Sequence, residues 1–421
     1  MKALIRPAQL HGSIKTVASK SQAHRMLICA AFADKSTDIV CEELSLDIKA
    51  TAGCLSAMGA DISYNEDKKS FRVIPIDRKS FGDTNKKITI DVGESGSTLR
   101  FMLPVVAALG VDTHIVMHGR LADRPLSPLW EELEAHGAVL TKNDDSTMDV
   151  SGRLKGSEYT IAADVSSQFI SGLLFAAPLV AEKEADFKLK LTGQIESINY
   201  ILMTFDALKS FGVEVKRDND ILSIARNARY VSPGELTVEG DWSNGAFWIC
   251  AAAMTSDKLD VTGLNYDSMQ GDKAVIELRD RITAKRNADN ACIIDAKNVP
   301  DLVPVLSVLA AFAEGETIFT HAERLRIKES DRIKSTVRML KELGADAEET
   351  ADGLKVRSDG RKLKGGTVDS CNDHRIAMSA AVASIICENE VEVLTAEAVR
   401  KSYPAFWADF ARLGGLVELV D

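Results

Sequence analysis

The stretch Ser95-Gly96-Ser97-Thr98-Leu99-Arg100-Phe101-Met102-Leu103-Pro104-Val105-Val106-Ala107-Ala108-Leu109 predicts a helix that is apolar on every side after a small, polar start. Helices without a polar face are normally buried. Five other stretches repeat this pattern at intervals of about 70 residues, which is typical of a repeat architecture. The six apolar runs are Met26 to Phe32, Phe101 to Leu109, Phe169 to Val180, Ala246 to Met254, Leu302 to Ala313 and Ile376 to Cys387.

A small or polar cluster precedes each apolar run. The clusters are Ser19-Lys20-Ser21, Ser95-Gly96-Ser97, Ser166-Ser167-Gln168, Asp241-Trp242-Ser243-Asn244, Pro300-Asp301 and Asn372-Asp373-His374-Arg375. A helix start has unpaired backbone N–H groups and the positive end of the peptide dipole, so several such starts indicate an anion site. The alternative is a set of ordinary N-caps, because Ser, Asn and Asp are the preferred capping residues.

A second pattern is a helix that ends in Leu-x-x-Gly, or a relative of it, before an apolar strand. The glycines are Gly59, Gly137, Gly212, Gly344 and Gly414, and each fits the left-handed cap that stops a helix. A double-length step separates Gly212 from Gly344, and we place the missing unit at Val275 to Ile294. The sequence therefore predicts six copies of a mixed α/β motif.

The chain of 421 residues exceeds what one hydrophobic core usually serves, so we expect two domains with three units each. The positions of the units predict that the chain crosses between the domains twice. The first domain is expected at residues 19–239, and the second at residues 1–18 together with 240–421.

Composition narrows the class of protein. A net charge of −11 argues against a general nucleic-acid surface, which needs many Lys and Arg contacts to phosphates. No apolar run reaches the roughly 18 residues of a membrane helix, and the first residues contain no signal-peptide core. The seven cysteines form no CxxC pair, so we expect reduced thiols and a cytoplasmic protein.

Several short motifs carry the charges that an anion site needs. The segment SKSQAHR (residues 19–25) places Lys20 and Ser21 at a helix start and Arg25 one turn later. In RIKESDR (residues 326–332), six of seven residues are polar or charged. Arg375 directly precedes an all-apolar segment, so we expect it to have an anionic partner.

These motifs together resemble 5-enolpyruvylshikimate-3-phosphate synthase, a member of the enolpyruvyl transferases. The matching segments, in the order and spacing of that family, are SKSQAHR (19–25), GESGSTLR (93–100, with Ser97 in a Thr position), DRP (123–125), SSQF (166–169), VPD (299–301), RIKESDR (326–332), NDHR (372–375) and KSYP (401–404). The resemblance runs from about residue 12 to residue 410, which is nearly the whole chain.

The resemblance implies an α/β fold of two domains, each made of three βαβαββ repeats with buried parallel helices. This inside-out α/β barrel turns its helix N-termini toward the cleft between the domains. The implied reaction transfers the carboxyvinyl group of phosphoenolpyruvate to the 5-hydroxyl of shikimate 3-phosphate, by addition and elimination, and releases phosphate. No metal and no organic cofactor is implied, and we expect a monomer that binds neither nucleic acid nor membrane.

The family pattern assigns a role to each matching residue. The residues implied for shikimate 3-phosphate are Lys20, Ser21, Arg25, Ser166, Ser167, Gln168, Ser197, Tyr200, Asp301 and Lys328. Those implied for phosphoenolpyruvate are Lys20, Gly96, Arg100, Arg124, Gln168, Arg332, Arg375 and Lys401. Eight of these side chains are cations, which suits two ligands with roughly five to six negative charges in all. Because these cations repel one another, we expect the domains to close only when ligand binds.

Three residues are candidates for proton transfer. Asp301 matches the acceptor for the 5-hydroxyl proton, and Glu329 matches the group that carries a proton at the methylene carbon. Lys20 is either an acid or a group that stabilises charge. Their roles stay open, because nearby cations lower the pKa of a carboxyl group and make it a weak base unless it is partly desolvated.

Some positions differ from the usual pattern, namely Ala18, Glu94, Ile198-Asn199 and Arg324, but none of them removes a needed charge. Three rival interpretations remain. The UDP-N-acetylglucosamine enolpyruvyl transferases have the same fold, but their pattern has Asn after the first Lys, where this chain has Ser21, and a reactive Cys in a loop. A nucleic-acid end-processing protein would need a basic stripe and more aromatic residues than 6%. A catalytically silent relative would not need the retained cations and carboxylates.

Overall fold

The computed structural model describes residues 1–77, 87–180, 185–285 and 290–421. The chain divides into two compact units. The inserted unit is Ala18–Val238, and the flanking unit is Met1–Val17 together with Glu239–Asp421. Each unit has its own buried apolar cluster.

Helices and strands alternate along the described residues. The helices are α1 (Lys20–Ala31), α2 (Leu46–Ala57), α3 (Gly96–Leu109), α4 (Leu129–Ala135), α5 (Ser167–Ala176), α6 (Ile198–Ser210), α7 (Trp242–Met254), α8 (Val275–Thr283), α9 (Val303–Phe312), α10 (Arg332–Glu342), α11 (His374–Ala383) and α12 (Phe406–Arg412). In the described ranges, none of them is long and apolar enough to cross a membrane.

The strands are short, at three to six residues. They are β1 (Lys2–Arg6), β2 (Gly12–Lys15), β3 (Thr37–Val40), β4 (Asp61–Asn65), β5 (Ser70–Ile74), β6 (Ile88–Asp91), β7 (Thr113–Val116), β8 (Ala138–Lys142), β9 (Thr147–Gly152), β10 (Glu158–Ala162), β11 (Phe187–Thr192), β12 (Val215–Asp218), β13 (Ile221–Ile224), β14 (Glu235–Thr237), β15 (Leu259–Thr262), β16 (Cys292–Asp295), β17 (Gly315–Thr320), β18 (Asp346–Glu349), β19 (Leu354–Ser358), β20 (Gly366–Asp369), β21 (Val391–Leu394) and β22 (Leu416–Val420).

The predicted βαβαββ repeat is present. In the segment β6-α3-β7-α4-β8-β9 the sheet order is β6-β7-β9-β8, with β6 parallel to β7 and the other two pairs antiparallel. The same order recurs in β10-β11-β13-β12 and in β16-β17-β19-β18. Two sheets take a strand from elsewhere in their own unit: β14 pairs with β3, and β1 lies between β21 and β22.

One repeat of the flanking unit is shorter than predicted. Its sheet has two strands within the described residues, β15 parallel to β2, and its outer helix α8 ends without a glycine. The segment Val275 to Ile294 was expected to hold this unit, and residues 286–289 of it lie outside the described residues. In the described part of this repeat there are two helices, α7 and α8, but no antiparallel pair of strands like those of the other sheets.

The apolar helices are buried as predicted. Every residue of α9 from Val303 to Ala311 is buried, and α9 contacts both α7 and α11 in the core of the flanking unit. In the inserted unit α3 packs closely against α5. Two predicted runs extend four residues beyond their helices: α5 ends at Ala176, and α11 ends at Ala383 before a 3₁₀ turn at Ser384–Ile386. The five predicted stop glycines all have positive φ, from 76° to 103°.

Candidate active site

The first cluster lies at the start of α1, in the inserted unit. The Nζ atom of Lys20 is 2.9 Å from Oδ2 of Asp47, a residue of the first turn of α2. One turn further along α1, the side chain of Arg25 is almost fully buried, at 2% exposure. Its Nη1 donates to the carbonyl of Ser21 at 2.6 Å and its Nη2 donates to the carbonyl of Tyr200 at 2.9 Å. Arg25, Ser21 and Tyr200 therefore form one group.

The second cluster surrounds Gly96 at the start of α3. A Cβ atom at this position would lie 2.5 Å from Nη1 of Arg124 and 2.6 Å from Nη1 of Arg100, so a side chain here would displace the guanidinium groups from these positions. Nη1 of Arg100 also donates to Oε1 of Gln168 at 3.2 Å. Nε2 of Gln168 donates to Oγ of Ser97 at 2.8 Å. The structure thus joins three of the motifs at one place.

The remaining candidates of the inserted unit lie at the starts of α5 and α6. Ser166 is the N-cap of α5, and its Oγ accepts from the backbone N–H of Gln168 at 3.2 Å. Ser167 follows as a buried residue. Ser197 is the residue before α6 and has a left-handed backbone with φ of 52°, a conformation that a non-glycine residue adopts only at some cost. Ser166 and Ser167 are at a helix start that the sequence predicts, whereas Ser197 is at the start of α6, which is not among the predicted starts.

A buried hydrogen-bond chain joins α1, α2 and α3 below these clusters. Nδ1 of His24 is 2.7 Å from Oγ1 of Thr51. The same Thr51 oxygen is 2.7 Å from Oγ1 of Thr98, and Thr98 donates to Oγ of Ser95 at 2.8 Å. Burial, followed by the charges of Lys20 and Arg25, holds the pKa of His24 well below its usual value. The imidazole is therefore neutral, and its hydrogen bond to Thr51 is part of a chain that links α1, α2 and α3.

The third cluster is in the flanking unit and is centred on Arg332. Its guanidinium contacts three carboxylates: Asp301 at 2.8 Å, Glu329 at 2.6 Å and Asp373 at 2.8 Å. Arg332 is 2% exposed and Asp373 is fully buried. Burial acts to lower the pKa of Arg332, but Asp373, Glu329 and Asp301 raise it above its usual value.

Arg375 has the anionic partner that the sequence predicts. Its Nη2 is 3.0 Å from Oδ2 of Asp301, and its Nη1 donates to the backbone carbonyl of Asp301 at 3.1 Å. Burial acts to raise the pKa of Asp301, but Arg375, Lys328 and Arg332 outweigh it and hold that pKa below its usual value. Asp301 is therefore ionised and held between two arginines.

Two lysines complete the cluster of the flanking unit. Burial lowers the pKa of Lys328 to about 8, although Asp301 acts in the opposite direction. Nζ of Lys401 donates to the backbone carbonyl of Asn372 at 2.7 Å, at the start of the NDHR motif. The structure thus brings Asp301, Glu329 and Arg332 together with Arg375, and it holds Lys401 against the same motif.

Three aspartates of these clusters are missing from the residues expected from sequence. Asp373 is part of the NDHR motif, and it both binds Arg332 and caps α11 by accepting from the N–H of Arg375 at 3.0 Å. Asp47 binds Lys20 from α2. Burial and the charge of Asp301 raise the pKa of Asp272 to about 7, in the 3₁₀ turn Gly271–Ala274. Only Asp373 had a signal in the sequence, its place in a charged motif before an apolar helix.

The two units differ in the groups that contact the buried arginines Arg25 and Arg332. In the described part of the chain, Arg25 makes no ion pair and bonds only to neutral oxygens, whereas Arg332 contacts three carboxylates. Among the described residues, no group of three or more His, Cys, Asp or Glu side chains is arranged to hold a metal ion. The cations of these clusters can bind anions, and their carboxylates and lysines can transfer protons.

Each of the two units is built of repeated α/β motifs and has basic residues at the starts of buried helices, an arrangement that favours the binding of anions. A sequence model of the EPSP synthase (3-phosphoshikimate 1-carboxyvinyltransferase) family matches residues 5–410. The chain therefore belongs to the EPSP synthase family.

Individual relatives agree with this membership. The chain is 39% identical over 431 residues to the 3-phosphoshikimate 1-carboxyvinyltransferase of Clostridium novyi (strain NT), covering 98% of this chain and 97% of the relative. It is 39% identical over 430 residues to that of Clostridium perfringens (strain ATCC 13124), covering 99% of both. An EPSP synthase structure from Acinetobacter baumannii matches the fold over 100% of both chains, with a TM-score of 0.80 at 24% identity. The similar fold confirms the predicted α/β class.

Proposed function

We propose that this chain is a 3-phosphoshikimate 1-carboxyvinyltransferase of aromatic amino-acid biosynthesis. It transfers the carboxyvinyl group of phosphoenolpyruvate to the 5-hydroxyl of shikimate 3-phosphate and releases phosphate. The observation that carries this proposal is the cluster in which Asp301 is held by Arg332 and Arg375 beside Glu329. It supplies two cations for an anionic ligand and two carboxylates for proton transfer in one place.

The ligand assignments are part of the proposal. Shikimate 3-phosphate is bound by Lys20, Ser21, Arg25, Ser166, Ser167, Gln168, Ser197, Tyr200, Asp301 and Lys328. Phosphoenolpyruvate is bound by Lys20, Gly96, Arg100, Arg124, Gln168, Arg332, Arg375 and Lys401. Support comes from two groups of contacts within the inserted unit, since Arg25 groups with Ser21 and Tyr200, and Gly96 groups with Arg100, Arg124 and Gln168. The two domains of this proposal are residues 19–239, and residues 1–18 with 240–421.

The proposed chemistry is addition followed by elimination. The 5-hydroxyl oxygen attacks the central carbon of phosphoenolpyruvate while Asp301 takes its proton, and Glu329 delivers a proton to the terminal methylene. The tetrahedral adduct then loses phosphate, and a proton passes from the new methyl group back to Glu329 to restore the double bond. Lys20 protonates the leaving phosphate or stabilises its charge. In the ligand-free protein Asp301 is a weak base, so the substrate must displace its arginine contacts to activate it.

Phosphate release measured with both substrates together, and with each alone, tests the proposal. We expect release only when both are present. A second arm in heavy water tests the route, because a methyl group rotates far faster than an enzyme turns over and deuterium should enter the vinyl group of the product. Phosphate release from phosphoenolpyruvate alone at the same rate would overturn the proposal, and a fully protonated methylene would exclude the addition and elimination route.

We also propose that the protein acts in the cytoplasm. All seven cysteines are free, and in the described residues six of them are buried, which suits a protein that works in the reducing cytoplasm. We expect a monomer, which sedimentation at micromolar concentration would test.

A further inference from the structure

We propose that Thr204 is a positioning residue that aims the guanidinium of Arg25 at shikimate 3-phosphate. The inference rests on the proposed function, because it takes its ligand from there. Thr204 lies on α6 and is fully buried, so it acts on the ligand only through Arg25.

The Thr204 hydroxyl connects three helices. Oγ1 accepts from Nε of Arg25 on α1 at 3.0 Å and lies 2.7 Å from Oγ of Ser171 on α5. It also donates to the carbonyl of Tyr200, one turn back on α6, at 3.0 Å. That carbonyl accepts from Nη2 of Arg25 as well. Thr204 and Tyr200 therefore contact the guanidinium at two of its nitrogens.

The hydrogen-bonding capacity of this hydroxyl is fully used. A threonine hydroxyl has one proton and two lone pairs. Arg25 can only donate, so one lone pair of Oγ1 accepts from its Nε, and the other positions face the carbonyl of Tyr200 and the hydroxyl of Ser171. Because these partners lie on α1, α5 and α6, they hold the side chain of Thr204 in place, and with it the position of Nε of Arg25.

The guanidinium of Arg25 depends on these neutral contacts. Burial lowers its pKa to about 10, and within the described residues it makes no ion pair that would hold it in place. One face lies over the ring of Phe101, with 5.2 Å between Cζ and the ring centroid. A guanidinium has five N–H groups, and the contacts with Thr204, Ser21 and Tyr200 use three, so two on the terminal nitrogens remain for an anion.

The main test compares Thr204→Val, which keeps the shape and removes the hydroxyl, with Thr204→Ser, which keeps the hydroxyl. We expect Thr204→Val to raise KM for shikimate 3-phosphate about tenfold, the effect of one hydrogen bond to a charged group. KM for phosphoenolpyruvate should change by less than about twofold, and Thr204→Ser should restore KM for shikimate 3-phosphate. Calorimetric binding of shikimate 3-phosphate should follow the same order without requiring turnover.

Thr37→Val is the matched control. Thr37 is also a fully buried threonine of the inserted unit, and its hydroxyl lies 2.7 Å from that of Ser232. The control should lower Tm and leave both KM values unchanged. If Thr204→Val does not fold, Ser171→Ala is the second test, because it removes a hydrogen-bond partner of Thr204. It should raise KM for shikimate 3-phosphate alone, by about threefold.

Three results would overturn the inference: an unchanged KM for shikimate 3-phosphate in the folded variant, an equal rise in both KM values, or a Thr204→Ser protein that behaves like Thr204→Val. Failure of the proposed function is a separate outcome. It would appear as absence of phosphate release and of shikimate 3-phosphate binding in the unaltered protein.

Discussion

Arg25 and Arg332 are both buried guanidinium groups, but they are stabilised differently. Arg25 bonds to one hydroxyl and two backbone carbonyls, and Arg332 bonds to Asp301, Glu329 and Asp373. A buried charge without a carboxylate partner is costly, so the surroundings of Arg25 favour an incoming anion. An anion at Arg332 must instead compete with carboxylates that are already bound.

Asp301→Asn should keep the protein folded and bind shikimate 3-phosphate, while turnover falls by about a hundredfold to ten-thousandfold, the usual contribution of a general base. The variant keeps the size of the side chain but loses the basic oxygen. Phosphate release gives the turnover, and calorimetry gives the affinity.

The competing interpretation of Asp301 as a helix cap is not supported by the geometry, because the N-cap position of α9 is Leu302 and the Asp301 carboxylate binds Arg332 and Arg375. Near-normal turnover of the variant would nevertheless contradict the proposed role as a base.

Asp272→Asn should make stability less dependent on pH. The folded pKa of about 7 is above the unfolded value of about 3.9, so the folded state holds a proton that the unfolded state has lost between these values. Stability of the parent protein therefore falls as pH rises through this window, by at most about 1.4 kcal/mol per pH unit. The groups that set this pKa besides burial are Asp301 and Asp241, which raise it, and Arg375 and Ser243, which lower it.

Urea unfolding of both proteins from pH 5 to pH 8 measures this effect, with tryptophan fluorescence as the signal. Asp301 does not interfere, because its lowered pKa keeps it ionised throughout the window. The free energy of unfolding of the variant minus that of the parent should increase up to about pH 7 and then level off. A difference that stays constant with pH would contradict the prediction.

Many single residues of the candidate site could be predicted from sequence, because Lys20, Arg100, Arg332 and Arg375 lie in short motifs at helix starts. The residues that contact them could not be predicted. Asp47 and Thr204 are single polar residues in ordinary helices, and their contacts with Lys20 and Arg25 depend on packing between helices distant in sequence.

At the scale of elements, the buried helices were predictable and the sheets were not. A helix such as α9 is apolar on all sides, and this pattern alone predicts its burial. Strands of three to six residues are too short to show a clear periodic pattern. The pairing of β1 and β14 with strands distant in sequence gives no periodic signal at all. The short repeat with β15 and β2 was not predictable either, because a missing glycine is weak evidence of missing strands.

The start of α11 combines a cap with an ion pair in one side chain, Asp373. Asn caps a helix about as well as Asp, so Asp373→Asn should lose roughly 1.5 to 3 kcal/mol through weaker bonds to Arg332 alone. Asp373→Ala should lose roughly 3 to 5 kcal/mol, the cost of breaking a buried pair. Chemical unfolding measures both losses.

Ser45→Ala is the control for a cap without an ion pair, because Oγ of Ser45 accepts from the N–H of Ile48 at the start of α2. It should lose about 1 kcal/mol. No loss for Asp373→Asn, together with a loss for Asp373→Ala no larger than the loss for this control, would show that the ion pair contributes nothing.

For the whole molecule, the important feature is that each unit has its own core. Ile5→Asp places a charge in the core of the flanking unit through β1, where Ile5 is fully buried. An unpaired buried charge costs more than most domains can tolerate, so this unit should unfold while the inserted unit stays folded. Limited proteolysis should leave a protected fragment close to residues 18–238.

Arg6→Asp is the matched control, because the neighbouring residue of the same strand is exposed. It should leave the protease pattern of the parent protein. Loss of protection over the entire chain in Ile5→Asp would show that the two units unfold as one.

Because β1 lies between β21 and β22, it cannot pair with either strand until nearly the whole chain has been synthesised. The inserted unit is continuous and has all its strands once residue 238 has left the ribosome. β1 must wait for Val391, 385 residues after Arg6, which at typical rates of synthesis takes roughly 20 to 80 s. During this interval a buried strand has no partner on either edge, so a nascent chain is exposed to chaperones and proteases until its final strands arrive.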